Sequence, residues 1–528
     1  MAQLVDDQKR QLVPRWWPLR IAVWLGLLEP TTPVHGSVAV RPSSGELEQL
    51  REDWERHRSP VHAAELVDAA FVSQQPEMAA DAAKFLLGTD ASVQTRALAN
   101  ALLSHDDEGD LASESQVIDK RTRWRRIAAA RRSLRRTVND PIRWTELARE
   151  YSLLGQEGPA LDALRRATAL APANRFVLRA ATHFLIHTGD ADQAVRLLRR
   201  ARRTREDPWL AAAEIAASQA AGREVRWARH AQRMVESGTF VPRQISELAG
   251  ALGTLEHEHG NRRKARRMFD RALIEPTENT VAQASWLARH MRGFDAPQDH
   301  MDVPRAFEAG AWDAYTREEY VRAVHLSQLW LQDEPLSTRA ALFGSWIAVT
   351  ALGDHHTGAA FVETARAANP HDPRLIAQLA FCRASLGDLE AAEQLLTDTL
   401  PGAIKRYSGI RPAAEWMVLE AADRGLIAFR RGQLTEGHRH YSRAIELAVH
   451  HRLKELATVA TLYYAREQAH VLSDSSGILS DARQMLAALA PVTRPAYECL
   501  LRRPIGEEAP YRPGLSTERL PAKNSESR

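Results

Sequence analysis

The sequence returns to one pattern every 34 residues, and this period constrains the fold more than any other property of the chain. Residues 141–174 place Trp144, Leu147, Ala148, Tyr151, Gly155, Ala160, Leu164, Ala167 and Pro172 along two short predicted helices. Residues 175–208 repeat the spacing with Leu178, Ala181, Leu185, Gly189, Ala194, Leu198 and Ala201. A helix pair of this length cannot shelter its apolar side alone, so copies must stack. The predicted fold class is all-α, an α–α superhelix of antiparallel helix pairs. Binding, rather than catalysis, is the function such an array suggests.

The period extends well beyond these two units. A degenerate copy covers 208–241, and 246–279 is clear again with Gly260, Ala265, Phe269 and Ala272. A helix at 280–292 and a loop near Gly293–Pro304 break the register. Units at 304–337, 339–372, 373–406 and 418–451 follow, marked by Gly353, Gly387, Ala392, Gly432 and Ala444. The predicted organisation is an N-terminal apolar segment and linker at 1–45, then degenerate helical repeats at 46–140. The first half of the array is 141–292, and 293–303 is a loop. The second half, with a cap formed by helices near 452–472 and 478–489, is 304–490, and 491–528 is a partly disordered tail.

Each signature residue has a physical role. Ala148 and Ala160 let two helices of one unit cross closely, as do Ala194, Ala265, Ala392 and Ala444 elsewhere. Trp144, Tyr151, Leu164 and Ala167 fill the space towards the next unit. Gly155, with Gly189, Gly260, Gly353, Gly387 and Gly432, stops the first helix in a left-handed conformation. Pro172 ends the second helix because it has no N–H to continue the ladder.

These residues closely resemble the signature of the tetratricopeptide repeat family, over about 350 residues. The resemblance implies a right-handed superhelix whose concave groove is lined by the first helix of each unit. Family members usually hold peptides or helices there, so the implied function is a non-catalytic protein–protein interaction scaffold or adaptor. Mapped onto this chain, the groove positions include Thr145, Arg149, Phe176, Arg179, His183, His187 and Trp209, then Trp312, Tyr315, Phe343, Ile347, Arg374, Phe381 and Phe429. Arg and His dominate early and aromatic side chains late, which suggests a ligand with an acidic end and an apolar end. Packing against the next unit, or a groove filled by the chain's own N-terminal segment, are the competing uses of the same residues. Members that bind chaperone tails grip a terminal carboxylate with a Lys/Asn set, which this chain lacks.

Arginine supplies a second candidate surface. Arg131, Arg165, Arg199 and Arg233 fall 34 residues apart, and Arg132, Arg166 and Arg200 follow one position later. On stacked helices they would climb the outer face in steps of about 8–10 Å. A nucleic-acid-associated or regulatory protein could use such a ridge, although outer faces of repeat helices are ordinarily charged and solvated. Only seven of the 70 basic residues are lysines, a bias typical of GC-rich bacterial genomes. The net charge of +3 describes no polycation.

Trp16–Leu28 is apolar but spans 13 residues interrupted by Arg20, short of the roughly 20 that a membrane-crossing helix needs. A packing or docking segment is the favoured reading. A secretory signal and a peripheral membrane anchor are the alternatives. Two isolated cysteines, Cys382 and Cys499, suggest a reducing, cytoplasmic setting. Phosphate-binding loops, zinc helices and nucleophile elbows are absent from the sequence. His257 and His259 are two apart and point to different helix faces. No enzyme activity, cofactor or metal is expected, and the partner is an unidentified protein or peptide.

Overall fold

The computed structural model describes residues 10–26, 28, 42–103, 120–295, 303–406, 413–471 and 476–504. Helices are the regular elements of these residues, and no strand occurs among them. Most of the predicted linker before residue 46, most of the loop at 293–303 and the predicted tail from 505 onward lie outside the described residues, while Ser44 and Gly45 already belong to a helix.

Two compact units divide the chain. The N-terminal unit reaches to Ala309 and adds Gln332–Leu336. It begins with α1 (Leu19–Trp24), α2 (Ser44–Arg56), α3 (Pro60–Ser73), α4 (Ala80–Leu87), α5 (Val93–Leu103) and α6 (Lys120–Arg136). The repeat pairs follow as α7 (Pro141–Leu153) with α8 (Glu157–Leu170), and α9 (Arg175–His187) with α10 (Ala191–Arg200). Next come α11 (Pro208–Ala220) with α12 (Ala228–Glu236), α13 (Pro242–Glu258) with α14 (Arg262–Ala272), and α15 (Glu278–His290).

Local chemistry sets the helix boundaries. Asp140 Oδ1 accepts from the N–H groups of Ile142 and Arg143, both at 3.0 Å, with Pro141 in the first turn. Asn174 and Asp207 cap α9 and α11 in the same way, satisfying donors that a helix start leaves over. Gly155 adopts φ +68° just after α7, in the left-handed region where a side chain would be strained. The glycines at 189, 260, 353, 387 and 432 repeat this conformation.

Close crossings hold the pairs together. Ala148, Ala160 and Ala167 are fully buried between α7, α8 and their neighbours. In the α13–α14 pair the small residue is Gly253, where a methyl group would stand 2.5 Å from the Phe269 ring. Phe269 itself is fully buried.

The C-terminal unit holds Gly310–Leu331 and the described residues from Ser337. Its helices are α16 (Phe307–Thr316, whose first turn belongs to the other unit), α17 (Tyr320–Asp333), α18 (Thr338–Ile347), α19 (His355–Arg366) and α20 (Pro373–Ser385). They continue with α21 (Leu389–Gln394), α22 (Leu400–Arg406), α23 (Ala413–Arg430), α24 (Leu434–His450), α25 (Lys454–Val471), α26 (Ser476–Met485) and α27 (Arg494–Arg502). A widened turn at Ala348–Leu352 prolongs α18. Reading 491 onward as a tail overlooked α27, a proline-started helix that buries Ala496, Tyr497, Leu500 and Leu501.

Candidate functional site

In the N-terminal unit, first helices α7, α9, α11, α13 and α15 furnish one continuous face, and residues 10–17 lie along it. Its bonded carbonyls run against the order of the repeats, from α15 through α9 to α7. Groove side chains read its main chain at four carbonyls. Gln283 Nε2 donates to Arg10 O at 2.7 Å and Asn279 Nδ2 to Val13 O at 3.0 Å. His183 Nδ1 donates to Pro14 O at 2.8 Å and Arg149 Nε to Trp16 O at 3.0 Å. Outside a helix these carbonyls have no ladder to pair with, so each of these bonds fills a need that a helix would meet internally.

Side chains of the segment are recognised as well. The Arg10 guanidinium lies on the Glu308 carboxylate and also donates to Gln283 and Asn279. Arg15 pairs with Glu334, and its Nη2 is 3.5 Å from Glu308 Oε2. Both arginines are buried, at 5% exposure. Leu12 enters the apolar cluster of Ile215, Leu248 and Ala249. It presses on Gly250, where a Cβ would come within 2.9 Å of its Cδ1. Trp17 sits between two guanidiniums, Arg15 at 5.5 Å and Arg305 at 5.1 Å from its ring, and donates its indole N–H to Glu278. Trp16 packs at its edge against His183 and Phe184.

Several expected groove residues therefore face this segment. Arg149 and His183 bind its carbonyls, and His187 stacks on His183. Arg179 instead meets Glu247 in a two-point ion pair, at 2.8 and 3.3 Å, and stacks over Trp209. Buried Thr145 turns back to the Pro141 carbonyl. Phe176 joins Ile142, Trp17 and Trp209 in a cluster with α1. Arg179 is neutralised by Glu247 within the unit, and Arg10 and Arg15 lie among Glu278, Glu308 and Glu334. Burial raises the pKa of the Glu278 carboxyl, with nearby Arg15 opposing. Burial also lowers the His183 imidazole to about 4, helped by the surrounding arginines and opposed by the Pro14 carbonyl.

The acidic half of the groove was missed in the sequence. Glu247, Glu278, Asn279, Gln283 and Glu308 are all buried. From Glu278 to Leu287 every residue of α15 is buried, and the composition of that run was a legible signal. That run carries a single charge and four uncharged polar residues, Asn279, Thr280, Gln283 and Ser285, unlike a solvated helix face.

The aromatic positions of the C-terminal unit are interior. Phe343 meets Trp312 at 4.1 Å and Trp330 at 6.4 Å, inside the packing of α16, α17 and α18. Phe429 lies against α24, where a Cβ on Gly437 would meet its ring at 2.6 Å. These two are therefore packing residues, not groove surface, because their own helix pairs enclose them. Arg374 pairs with Asp372 and Thr338 at a helix start. Ile347 is fully buried. Tyr315 and Phe381 are buried against C-terminal residues: Tyr315 Oη donates to Val492 O at 2.5 Å, and Tyr463 bridges Phe381 and Tyr497.

The basic ridge divides into paired and solvated members. Arg131 and Arg135 hold buried Asp68, and Arg132 donates to Glu46 at 2.6 Å. Arg199 pairs with buried Glu214 at 2.8 Å. Arg166 lies over the Trp144 ring. Arg165, Arg200 and Arg233 are exposed. As for membrane docking, Trp16, Trp17, Leu19, Ala22 and Leu25 are buried within the unit, leaving Val23 and Trp24 as its exposed large apolar side chains between residues 16 and 26. No described helix is long and apolar enough to cross a membrane. No group of three metal-ligating side chains occurs among the described residues.

A family model described as tetratricopeptide repeat matches residues 350–403. No curated protein matches the chain. Among solved structures, it is similar to the human IFIT1 dimer with PPP-AAAA at 13% identity, over 87% of this chain and 95% of that one, with a TM-score of 0.31. It is similar to yeast Tom70 at 10% identity, over 86% and 94%, with a TM-score of 0.29. Naa15/Naa10 bound to HypK-THB is matched at 12% identity, over 82% and 88%, with a TM-score of 0.26.

Proposed function

From a chain that carries a tetratricopeptide repeat at residues 350–403, we propose a non-catalytic interaction scaffold that holds a partner peptide in the groove of its N-terminal unit. The observation that carries this reading is the set of four main-chain carbonyls, of Arg10, Val13, Pro14 and Trp16, each bonded by a groove side chain. Side chains that bind the backbone of an extended segment are the equipment of peptide recognition. A cytoplasmic setting accords with the two free cysteines, Cys382 being buried. Its thiol is pushed up to about 12 by burial, and such a group is not a ready nucleophile.

A photo-crosslinking amino acid placed at His187 in the full chain, compared with one at exposed Arg263, tests the proposal in the native cell. Partner adducts from position 187 and none from 263 are expected. Equal adducts from both positions, or adducts from 263 alone, would overturn it.

A further inference from the structure

The groove carries more acidic recognition than its helices need for stacking. Glu278 and Glu308 project from α15 and α16 into a buried space, and the cations that meet them there include Arg10 and Arg15. Glu308 takes Arg10 through both oxygens, at 2.9 and 2.8 Å, a geometry specific to guanidinium. Trp17 completes the arrangement, its ring within 5.5 Å of the Arg15 guanidinium and 5.1 Å of that of Arg305, and its N–H on Glu278. An acidic or neutral occupant would leave these carboxylates buried and uncompensated, which selects strongly against it.

The segment supplies no repeat pair and is followed by one short helix of six residues, α1. Leu12, Trp16 and Trp17 of residues 10–17 are anchored by apolar and ring contacts, and the rest of the segment is fixed through polar contacts to its backbone and through ion pairs. Those are the contacts of a bound ligand.

We propose that this groove selects an extended peptide carrying two arginines five positions apart, the second followed by Trp-Trp, and that residues 10–17 are a resident copy of that ligand which a partner replaces. The inference rests on reading the groove as a peptide site and adds the chemistry of the peptide. A tethered segment meets its own groove at an effective concentration on the order of millimolar. A free peptide of the same sequence therefore competes poorly until the tether is cut.

The test uses the full chain with a specific protease site inserted after Pro33, cleaved after folding, so that loss of folding is not at issue. A fluorescein-labelled peptide of residues 8–26 is then added and its anisotropy followed. The uncut chain is expected to exclude the peptide at micromolar concentrations, and the cut chain to take it up as its own segment leaves. A peptide with Arg10→Ala and Arg15→Ala should bind at least about 100-fold more weakly, and the double Arg→Lys peptide should fall between. Equal uptake of the alanine peptide would overturn the arginine selectivity while leaving the crosslinking test of the groove intact. A segment that stays in the cut chain and never exchanges would show a permanent structural strap and overturn the replacement.

Discussion

The Arg10 guanidinium meets the Glu308 carboxylate at two points, Nε to Oε1 at 2.9 Å and Nη2 to Oε2 at 2.8 Å, across 298 positions of sequence. Both side chains are almost wholly buried, at 4% and 2% exposure. Removing one partner of such a pair leaves the other charged and desolvated. Glu308→Ala is expected to cost about 3–5 kcal/mol, because Arg15 shares the same carboxylate. The double variant Arg10→Met/Glu308→Met should cost less than Glu308→Ala alone. Urea unfolding of the full chain, followed at tryptophan, measures both.

His183 should make stability depend on acid. Folded, its imidazole is held neutral by burial and by Arg149, Arg179 and Arg15, down to about pH 4, with the Pro14 carbonyl opposing. Unfolded, it titrates near 6.5. Between those values the unfolded chain takes up a proton that the folded chain refuses, so stability falls as pH falls from 6.5 towards 4. The loss attributable to this group approaches roughly 3 kcal/mol at the lower end. Since other groups also titrate there, the measurement is the difference between wild type and His183→Gln in urea midpoint from pH 7 to pH 4. A constant difference across that range would remove the imidazole as the cause.

The period of the sequence disclosed the helix pairs, and local chemistry confirmed their ends. Gly155 and its counterparts take the left-handed conformation, and Asp140 and Asn174 cap the helices that follow them. The groove was harder to read. Arg149 and Arg179 stood out because they are cations at repeat positions, whereas Glu247, Glu278 and Glu308 share no spacing that sets them apart from the other acids of the chain. A periodic pattern identifies the inner face of a helix but not the charge of what will lie on it. Residues 10–17 have no period at all, so the chain's own N-terminal segment stood only as a competing occupant of the groove, with no register on it.

Gly253 should tolerate no larger residue. A methyl there would stand 2.5 Å from the Phe269 ring and 3.3 Å from the Ala265 carbonyl, within the α13–α14 crossing. Gly253→Ala gains helix propensity but forces the ring or helix aside, so a net loss of about 1–3 kcal/mol is expected. Adding Phe269→Leu should recover part of it. Thermal melts of the two variants decide the matter. Stabilisation by Gly253→Ala alone would mean that the pair separates freely.

Arg466 fastens the C-terminal helix. Its guanidinium, almost wholly buried, donates to the carbonyls of Leu500 at 2.9 Å and Arg503 at 3.0 Å. These carbonyls belong to the end of α27 and the residue after it, where intrahelical donors run out. Arg466→Met keeps much of the apolar bulk and removes the donors. Amide exchange across 494–502 should then quicken by roughly 10- to 100-fold, since a hydrogen bond from a charged group is worth about 1.5–3 kcal/mol. The Tyr497 ring, packed beside Trp346 and Tyr463, should gain exposure in parallel.

The arginine ridge should split by position when it is mutated. Arg131→Ala leaves buried Asp68 to Arg135 alone, and Arg199→Ala strips Glu214 of its ion-pair partner. Each should cost more than about 1 kcal/mol. Arg165 is 63% exposed and its partner Asp162 is 62% exposed. Arg165→Ala, and likewise Arg200→Ala and Arg233→Ala at exposed sites, should stay within about 0.5 kcal/mol of wild type. The same division bears on nucleic acid. Cations committed to Asp68, Glu46 and Glu214 release no counterions from a phosphate backbone, so a continuous track is broken at every paired step. The expected result of a mobility-shift assay over a salt series is no retardation of duplex or single-stranded probes. Retardation at low salt that disappears in the Arg165→Glu/Arg200→Glu/Arg233→Glu chain would reverse that conclusion and assign the solvated arginines a ligand.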